Sequence, residues 1–357
     1  MSLRPLPKLA QLEARLGSDW KAIRAAGDAT QQRRAELTAA FASQGSPDTS
    51  LVVFGSVARE EVTSGSDLDW ILLIDGQSVP EHKEQEREIE RTLVARGFIK
   101  PGASGVFGKM VGSHDLVHNI GGEDDLNSNT TRRVLLLLES YPVGNREVYD
   151  RVRRQIIRRY LRDDRGLTHA SADVRVPRFL LNDLTRYWRT VTVDFVYKQV
   201  AENDKKWALR NAKLRMSRKL IFAAGLAHVF FCHLDPFAAS ARSALMKSRD
   251  VSLLTAYLEQ ELALSPLEVI AKACVDLPIG DVTVRDIFNS YDRFLGILNN
   301  QTKRSELEKA RTHDDLRNSV AWEEVRTVSK PFHDGLVALF LKEHDVLRDL
   351  TMKYGLF

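Results

Sequence analysis

The sequence predicts an α+β protein, with a small mixed sheet near the N-terminus and a large all-helical domain after it. Two observations carry this prediction. Short, apolar, β-branched runs bounded by Gly and Ser turns are confined to about residues 45–125, and beyond them the apolar residues recur at helical spacing. The length of 357 residues suits two domains.

The elements follow from the same patterns. Leu9, Leu12 and Leu16 recur at helical spacing and predict helices over residues 1–43. Residues 51–54 and 68–74 predict strands, with a short helix over 57–62 between them, and alternating pieces around 106–110 and 115–120 predict further strands. The later helices are predicted over 82–96, 127–138, 146–161, 179–200 and 205–233.

Composition excludes several protein classes. The only cysteines, Cys232 and Cys274, are too few for a disulfide scaffold or a cysteine-rich zinc site, which indicates a reducing, cytoplasmic setting. The charged N-terminus does not resemble a signal peptide. The most apolar stretch, 220–232, is shorter than the roughly 20 residues that cross a membrane, so no membrane contact is expected.

Charge is unevenly distributed. The whole chain has a net charge of +4, but residues 146–219 contain 20 Lys and Arg against 9 Asp and Glu, a local excess of 11 positive charges. A basic middle within an acidic remainder favours an anionic partner such as nucleotide phosphate or RNA. Solvated helix faces are the alternative explanation.

One segment combines a phosphate-binding turn with a pair of carboxylates. A predicted strand ends at Gly55-Ser56, where glycine permits a tight turn whose N–H groups, with the Ser56 hydroxyl, can bind phosphate oxygens. Ten residues later, Asp67 and Asp69 flank Leu68 on the next predicted strand, so both carboxylates share one face. Ser66, at the end of the intervening turn, is a further candidate for nucleotide binding.

Two adjacent carboxylates repel each other unless a cation lies between them. Mg²⁺ is the usual hard cation beside a nucleotide phosphate, and two such ions can hold the attacking and leaving oxygens of a displacement. The segment therefore predicts metal-assisted phosphoryl or nucleotidyl transfer. An incidental pair of surface aspartates is the alternative.

The segment Phe54-Gly55-Ser56, ten residues, then Asp67-Leu68-Asp69-Trp70 resembles the signature of the DNA polymerase beta-like nucleotidyltransferase superfamily. The resemblance implies N-terminal helices over 1–43, a catalytic domain over 44–140 and a helical domain over 141–357. Segments 100–105 and 131–143 are similar, more weakly, to the glutamine synthetase adenylyltransferase and protein-PII uridylyltransferase group, and this length suggests a stand-alone relative.

The superfamily normally has a third carboxylate on a neighbouring strand. The position expected from the adenylyltransferase-like group contains Gly97-Phe98-Ile99 instead. We predict that Asp115 completes the metal-binding and catalytic set with Asp67 and Asp69, from a strand over 115–120. A capping or turn role for Asp115 is the alternative, and Glu123, Asp124 and Asp125 are the next candidates.

The basic helix predicted over 205–219 supplies candidate triphosphate ligands. Lys206, Arg210, Lys213 and Ser217 recur along one side, and superfamily members often direct Lys or Arg from the helical domain to the triphosphate. We predict that Arg210 and Lys213 do so here, with a solvated face as the alternative.

These features predict an enzyme that uses Mg²⁺ to move an NMP, with AMP favoured, from an NTP to an acceptor hydroxyl. The acceptor is a protein, an RNA end, a small molecule or a second nucleotide, with a protein narrowly preferred through the resemblance. The alternative is a non-catalytic protein that retains the fold and binds a nucleotide or RNA.

Overall fold

The computed structural model describes residues 7–42, 45–98, 105–168, 176–201, 206–311 and 313–355. It confirms the predicted fold class, because a small mixed sheet lies near the N-terminus and a large helical part follows it. Most of the segment 100–105, which carries part of the weaker resemblance, lies outside the described residues.

Four strands form the sheet, and helices make up most of the remaining elements. The strands are β1 (Thr49–Phe54), β2 (Trp70–Ile74), β3 (Lys109–Gly112) and β4 (Ser140–Pro142). The helices up to the middle of the chain are α1 (Lys8–Leu16), α2 (Lys21–Phe41), α3 (Ser56–Arg59), α4 (Pro80–Ala95), α5 (Ser113–Val117), α6 (Asn127–Leu138), α7 (Arg146–Asp163), α8 (Arg165–Thr168) and α9 (Arg178–Ala201).

The second half of the described chain is helical throughout. It contains α10 (Trp207–Lys213), a π-helical turn (Leu214–Arg218), α11 (Lys219–Leu234), α12 (Pro236–Ser248), α13 (Ser252–Glu261), α14 (Pro266–Asp276), α15 (Asp281–Asn299), α16 (Gln301–Lys309), α17 (His313–Arg317), α18 (Val320–Leu341), α19 (Asp345–Leu350) and a second π-helical turn (Thr351–Gly355).

The strand order in the sheet is β3-β2-β1-β4. β1 lies antiparallel to both β2 and β4, whereas β2 and β3 run parallel, with Ile71 opposite Lys109 and Ile74 opposite Gly112. Every residue of β1 and β2 is buried, which explains why their sequences are continuously apolar or small. Alternate residues therefore enter two cores on opposite faces of the sheet.

Two predicted features of the sheet are wrong. The sequence after 126 showed little strand signal, yet β4 pairs with β1 through three residues, one of them a proline at the sheet edge. The strand predicted over 115–120 is instead the short helix α5, which follows β3 directly. Both segments are too short for a clear periodicity to separate strand from helix.

The N-terminal helices pack against helices from the far end of the chain. The indole of Trp20 donates to Asn289 Oδ1 over 2.8 Å, and the backbone N–H groups of Ala22 and Ile23 donate to Asp292 Oδ1 over 2.8 and 3.0 Å. The Lys8 ammonium pairs with Asp276 over 2.5 Å. The segment that precedes the sheet is thus covered by α14 and α15.

Within the described ranges, no single helix has the length and composition to cross a membrane. The stretch Trp207–Leu234 and the helix Pro236–Ser248, bent by 69°, meet that criterion only when they are counted together.

Candidate active site

The turn after β1 brings the backbone close to the aspartate pair. Gly55 has a φ of 72°, which a side chain rarely tolerates, and a Cβ built there would lie 3.7 Å from Asp69 Oδ2. The short helix α3 begins at the next residue, Ser56. Glycine at this position therefore satisfies the backbone conformation and leaves space beside the Asp69 carboxylate.

Ser56 offers a polar group without a protein ligand. Its hydroxyl oxygen is buried and has no hydrogen-bond partner among the described residues. An unsatisfied buried hydroxyl is costly, and it is usually explained by water, an ion or a ligand. Its position one residue after Gly55 fits the predicted phosphate-binding turn.

Asp67 and Asp69 precede β2 instead of lying within it, because the strand begins at Trp70. The ladder nevertheless reaches Asp69, whose carbonyl accepts a 2.9 Å hydrogen bond from the Phe54 N–H. Leu68 and Trp70 are each 2% exposed, while Asp67 is exposed and Asp69 half-buried. The predicted alternation of buried apolar residues and more exposed aspartates is therefore present in the extended segment before β2.

The two carboxylates occupy different electrostatic environments. Lys213 Nζ lies 3.9 Å from Asp67 Oδ1 and, with smaller contributions from Arg218 and Arg304, lowers the pKa of Asp67. Burial, followed by the charges of Asp67 and Glu139, raises the pKa of Asp69 to about 6. Excess negative charge is thus concentrated at Asp69, where an added cation would relieve it.

Lys213 and Arg218 lie on a helical segment that is interrupted by the first π-helical turn. Residues five apart on an α-helix are rotated by about 140° from each other. The wider π-turn over Leu214–Arg218 brings Lys213 and Arg218 to the same side, so that both act on the aspartate pair and line one cavity. Such turns frequently occur at functional sites, and the sequence periodicity did not reveal this one.

That cavity has a volume of about 170 Å³ and is also lined by Arg210. Arg210 and Lys213 therefore face one space, as the sequence predicted for two of the four positions on the basic helix. Lys206 is different, because it precedes α10, has a φ of 56° and is exposed. Ser217 is buried. The prediction that all four residues lie along one side of a regular helix is therefore wrong for Lys206 and Ser217.

Glu139 is a buried carboxylate that sequence reasoning missed. It is 2% exposed; its Oε1 accepts from the Gly55 N–H over 3.0 Å, and its Oε2 contacts an Arg59 nitrogen over 2.6 Å. Arg218 approaches Oε1 to 3.5 Å. Glu139 therefore connects the Gly55 turn to two arginines, one of them from the π-turn.

Only one feature of the sequence could have indicated that Glu139 belongs to the site. It is a single acidic residue after the apolar run 134–138, immediately before β4. Its partner Arg59 is 80 residues away and Arg218 is 79 residues away, so no local pattern could reveal the pairing. Because both oxygens accept from protein donors, Glu139 holds the Gly55 turn in place.

The loop between the Gly55 turn and the aspartates is held by the C-terminal helices. Arg304 bonds to the Gly65 carbonyl and lies 3.4 Å from the Thr63 hydroxyl. The Tyr291 hydroxyl donates to Glu61 Oε1 over 2.6 Å. Ser66, predicted to bind nucleotide, closes the turn itself, since its hydroxyl accepts from the Thr63 N–H over 3.0 Å.

The predicted position of Asp115 is wrong. β2 and β3 are parallel; Asp69 lies just before the start of β2, whereas Asp115 lies after the end of β3. The two carboxylates are therefore at opposite ends of the sheet, roughly 15 Å apart at about 3.3 Å per residue. Asp115 is exposed and accepts a 3.1 Å hydrogen bond from Asn119.

The alternative acidic residues do not replace it. Glu123 and Asp124 are exposed. Asp125 is buried and paired with Arg133 over 3.0 Å and with Arg186 over 2.6 Å, and this pairing lowers its pKa. Asp125 therefore anchors the loop before α6 to helix α9.

The residues present fit a metal ion that arrives with a phosphate-bearing substrate. Among the described residues, no group of three or more His, Cys, Asp or Glu side chains is arranged to hold a metal ion. Mg²⁺ rarely needs one, because it usually takes one or two carboxylates together with water and substrate phosphate. Asp67 and Asp69 supply those carboxylates, and the unpartnered Ser56 hydroxyl lies on the adjoining turn.

Comparison with known proteins agrees with this geometry. Residues 9–100 match the model of a family described as "Putative nucleotidyltransferase DUF294". The match covers about a quarter of the chain and includes Gly55, Ser56 and both aspartates. It supports a nucleotidyltransferase superfamily assignment for this segment and nucleotidyltransferase activity in general. No curated protein and no solved structure matches the chain significantly.

The raised pKa of Asp69 has a consequence for stability in the absence of metal. Because that pKa is about 6 in the folded protein and near 3.8 in the unfolded chain, the ionised carboxylate destabilises the fold above pH 6. We expect Asp69→Asn to be more stable than wild type at pH 8, by about 1–2 kcal/mol after allowance for solvent screening. The difference should shrink as the pH falls from 6 to 4.

Urea unfolding of both proteins in EDTA at pH 8 and pH 4.5 measures this difference. Comparison of the two proteins at each pH cancels the titration of groups that do not interact with Asp69. A wild-type protein that is as stable as Asp69→Asn at pH 8 would show that the carboxylate is not electrostatically strained.

Proposed function

We propose that the protein transfers an NMP group from an NTP to an acceptor hydroxyl and releases pyrophosphate. The acceptor oxygen bonds to the α-phosphorus, and the bond from that phosphorus to the β-phosphate oxygen breaks. The observation that carries the proposal is that the Gly55 turn lies against the Asp69 carboxylate while Lys213 approaches Asp67, and the turn continues into Ser56, whose buried hydroxyl has no partner among the described residues. Each of these groups suits an anionic, metal-associated substrate.

The roles follow from the chemistry of each side chain. Gly55 and Ser56 bind triphosphate oxygens through backbone N–H and hydroxyl donors. Lys213 and Arg210 neutralise the outer phosphates, which retain negative charge even beside a divalent cation. Glu139 and Arg218 hold the turn and the π-turn in position relative to each other.

Asp67 and Asp69 would hold Mg²⁺, with two ions expected. When bound, Mg²⁺ polarises the phosphoryl oxygens and stabilises the charge that develops on the leaving pyrophosphate. The protein's contribution is to present both carboxylates on one side of an extended segment whose other side is buried.

The choice of the transferred nucleotide and of the acceptor class depends on the weaker sequence resemblance. We favour AMP from ATP as the transferred group and a protein hydroxyl as the acceptor, with an RNA end or a small molecule as the other acceptors. A non-catalytic nucleotide- or RNA-binding protein is the competing function. Retention of both aspartates beside the turn favours the enzyme, because a binding protein has no need of a repelling carboxylate pair.

Incubation with each α-³²P-labelled NTP, Mg²⁺ and a cell lysate tests the proposal. We expect label from one NTP in a discrete product, together with pyrophosphate, and no labelled product in EDTA. The chemical nature of the product identifies the acceptor. Nucleotide binding without labelled product or pyrophosphate across a range of acceptor fractions would favour the binding protein instead.

Lys213 is expected to contribute to NTP affinity. A charge-assisted contact is worth about 1.5–3 kcal/mol, so Lys213→Ala should raise the Kd for a non-hydrolysable NTP about tenfold or more. Calorimetric titration with Mg²⁺ measures it. Lys206→Ala is the matched control, since Lys206 is exposed and precedes the helix. Equal dissociation constants for wild type and Lys213→Ala would remove Lys213 from the site.

A further inference from the structure

A second pocket lies between α18 and the segment spanning the π-turn and the start of α11. Its volume is about 520 Å³, and five basic side chains contribute to its lining. These side chains are Arg215, Lys219, Arg326, Lys330 and His333. Arg326, Lys330 and His333 recur at intervals of four and three residues, so they share one side of α18.

The cations of this pocket are incompletely neutralised. Arg326 pairs with Glu323 over 3.1 Å and Lys330 with Asp334 over 2.8 Å. Within the described part of the chain, neither Arg215 nor Lys219 has a carboxylate within ion-pair distance. Lys219 Nζ instead lies 3.4 Å from His333 Nδ1. The two uncompensated cations project from one helical segment into the same space.

The neighbouring positive charges disfavour one another's charged forms. Burial and the charge of Arg215 lower the pKa of Lys219, and burial followed by the charge of Lys219 lowers the pKa of His333, in both cases against a smaller opposing effect of Asp334. Concentrated positive charge of this kind is relieved by a bound anion. Arg215 is in addition held in place, because its Nε donates to Asn211 Oδ1 over 2.6 Å and its guanidinium lies 5.6 Å from the centre of the Trp322 ring.

The side chains that line the pocket indicate which kind of anion it suits. Single-stranded nucleic acid is usually bound through aromatic rings on which bases stack. Among the described residues, no Phe, Tyr or Trp side chain lines this pocket, and Trp322 beside it is 6% exposed. Several cations within one pocket instead suit a compact anion with adjacent phosphate groups, which accepts several charge-assisted hydrogen bonds at once.

We propose that this pocket binds a compact polyphosphate, such as free pyrophosphate or the phosphate chain of a nucleotide. It is distinct from the aspartate pair, because Arg215 and Lys219 enter it whereas Lys213 and Arg218 face the other cavity. The inference does not depend on nucleotidyl transfer, since it rests only on the charge and geometry of this pocket.

Binding without metal isolates the pocket from the catalytic site. In EDTA the aspartate pair repels polyphosphate, so calorimetric titration of pyrophosphate at low ionic strength reports the basic pocket. We expect one site in wild type, at least tenfold weaker binding in Lys219→Gln and Arg215→Gln, and wild-type binding in Lys206→Ala, whose side chain is exposed and outside the pocket. Thermal unfolding confirms that each variant is folded. Lys330→Gln, at an exposed position in the same pocket, should also weaken pyrophosphate binding.

Parallel titrations identify the source of the phosphate. Tighter binding of pyrophosphate than of ATP indicates the free anion, whereas equal binding indicates the phosphate chain of a nucleotide. Equal affinity of wild type, Lys219→Gln and Arg215→Gln would overturn the proposal, as would loss of binding in Lys213→Ala alone. Tighter binding of a single-stranded oligonucleotide than of either polyphosphate would also overturn it.

Discussion

Asp69→Asn and Asp67→Asn are each expected to reduce nucleotidyl transfer about 10²–10³-fold or more while the protein remains folded. The amide preserves the size of the side chain but removes the negative charge that would hold the cation. Asp69 is half-buried beside Gly55, so its loss also alters the face nearest the phosphate turn. Pyrophosphate release and labelled-product formation, measured at saturating NTP and Mg²⁺, give the size of each effect.

Asp115→Asn is the matched control for these variants. Asp115 is a carboxylate of the same type, but it lies at the opposite end of the sheet and is exposed. It should retain wild-type activity. Near-wild-type turnover in Asp69→Asn, or a comparable loss in Asp115→Asn, would contradict the assignment of the metal-binding carboxylates.

Glu139→Gln is expected to cause the largest loss of stability among single substitutions near the site. Glu139 is buried and shares the guanidinium of Arg59, which is 7% exposed, with Glu61, while also approaching Arg218, so that loss of its charge leaves this network with one excess positive charge. Removal of one partner from a buried charge network leaves an uncompensated charge and costs about 3–5 kcal/mol. The Gly55 N–H can still donate to the new amide oxygen, but the amide NH₂ then faces the Arg59 guanidinium, so the loss combines the charge with one hydrogen bond.

Urea unfolding at pH 7 measures this effect, with Glu84→Gln as the control. Glu84 is an exposed acid on α4, and its neutralisation should change the free energy of unfolding by less than about 0.5 kcal/mol. If Glu139→Gln is as stable as Glu84→Gln, Glu139 does not hold the Gly55 turn in place.

The parts of the site that are close in sequence could be predicted. Gly55, Ser56, Asp67 and Asp69 lie within 15 residues, and the turn and the alternation of buried and exposed residues follow from local rules. The sequence also predicts that the basic helix faces the cleft, in agreement with the position of Lys213 near Asp67, although that prediction depends on a resemblance and on charge.

The rest depends on tertiary structure. Glu139 meets the Gly55 turn because β4 pairs with β1, and β4 was not recognised in the sequence. The prediction for Asp115 is wrong because β3 runs parallel to β2, which puts the end of β3 and the following helix α5 far from Asp69, and the strand pairing is not visible in the sequence. Arg218 reaches Glu139 only because a π-turn changes the angular spacing of its helix, which a regular period of 3.6 residues cannot represent.

The family match includes the residues of the site that could be predicted from local sequence and excludes those that depend on tertiary structure. It ends at residue 100, whereas Glu139, Lys213 and Arg218 all lie beyond it. The matched segment contains the carboxylates and the phosphate turn. The cations that would neutralise the outer phosphates come from the helical part, which lies outside the family match.

The central claim is that an NTP binds with its phosphates between the Gly55 turn and the π-turn helix. A crystal structure with Mg²⁺ and a non-hydrolysable ATP analogue tests it most directly. We predict phosphate oxygens within hydrogen-bond distance of Ser56 Oγ and Lys213 Nζ, and a cation about 2.1 Å from oxygens of Asp67 and Asp69. An analogue whose phosphates bind away from Ser56, or a cation that contacts neither aspartate, would contradict the account.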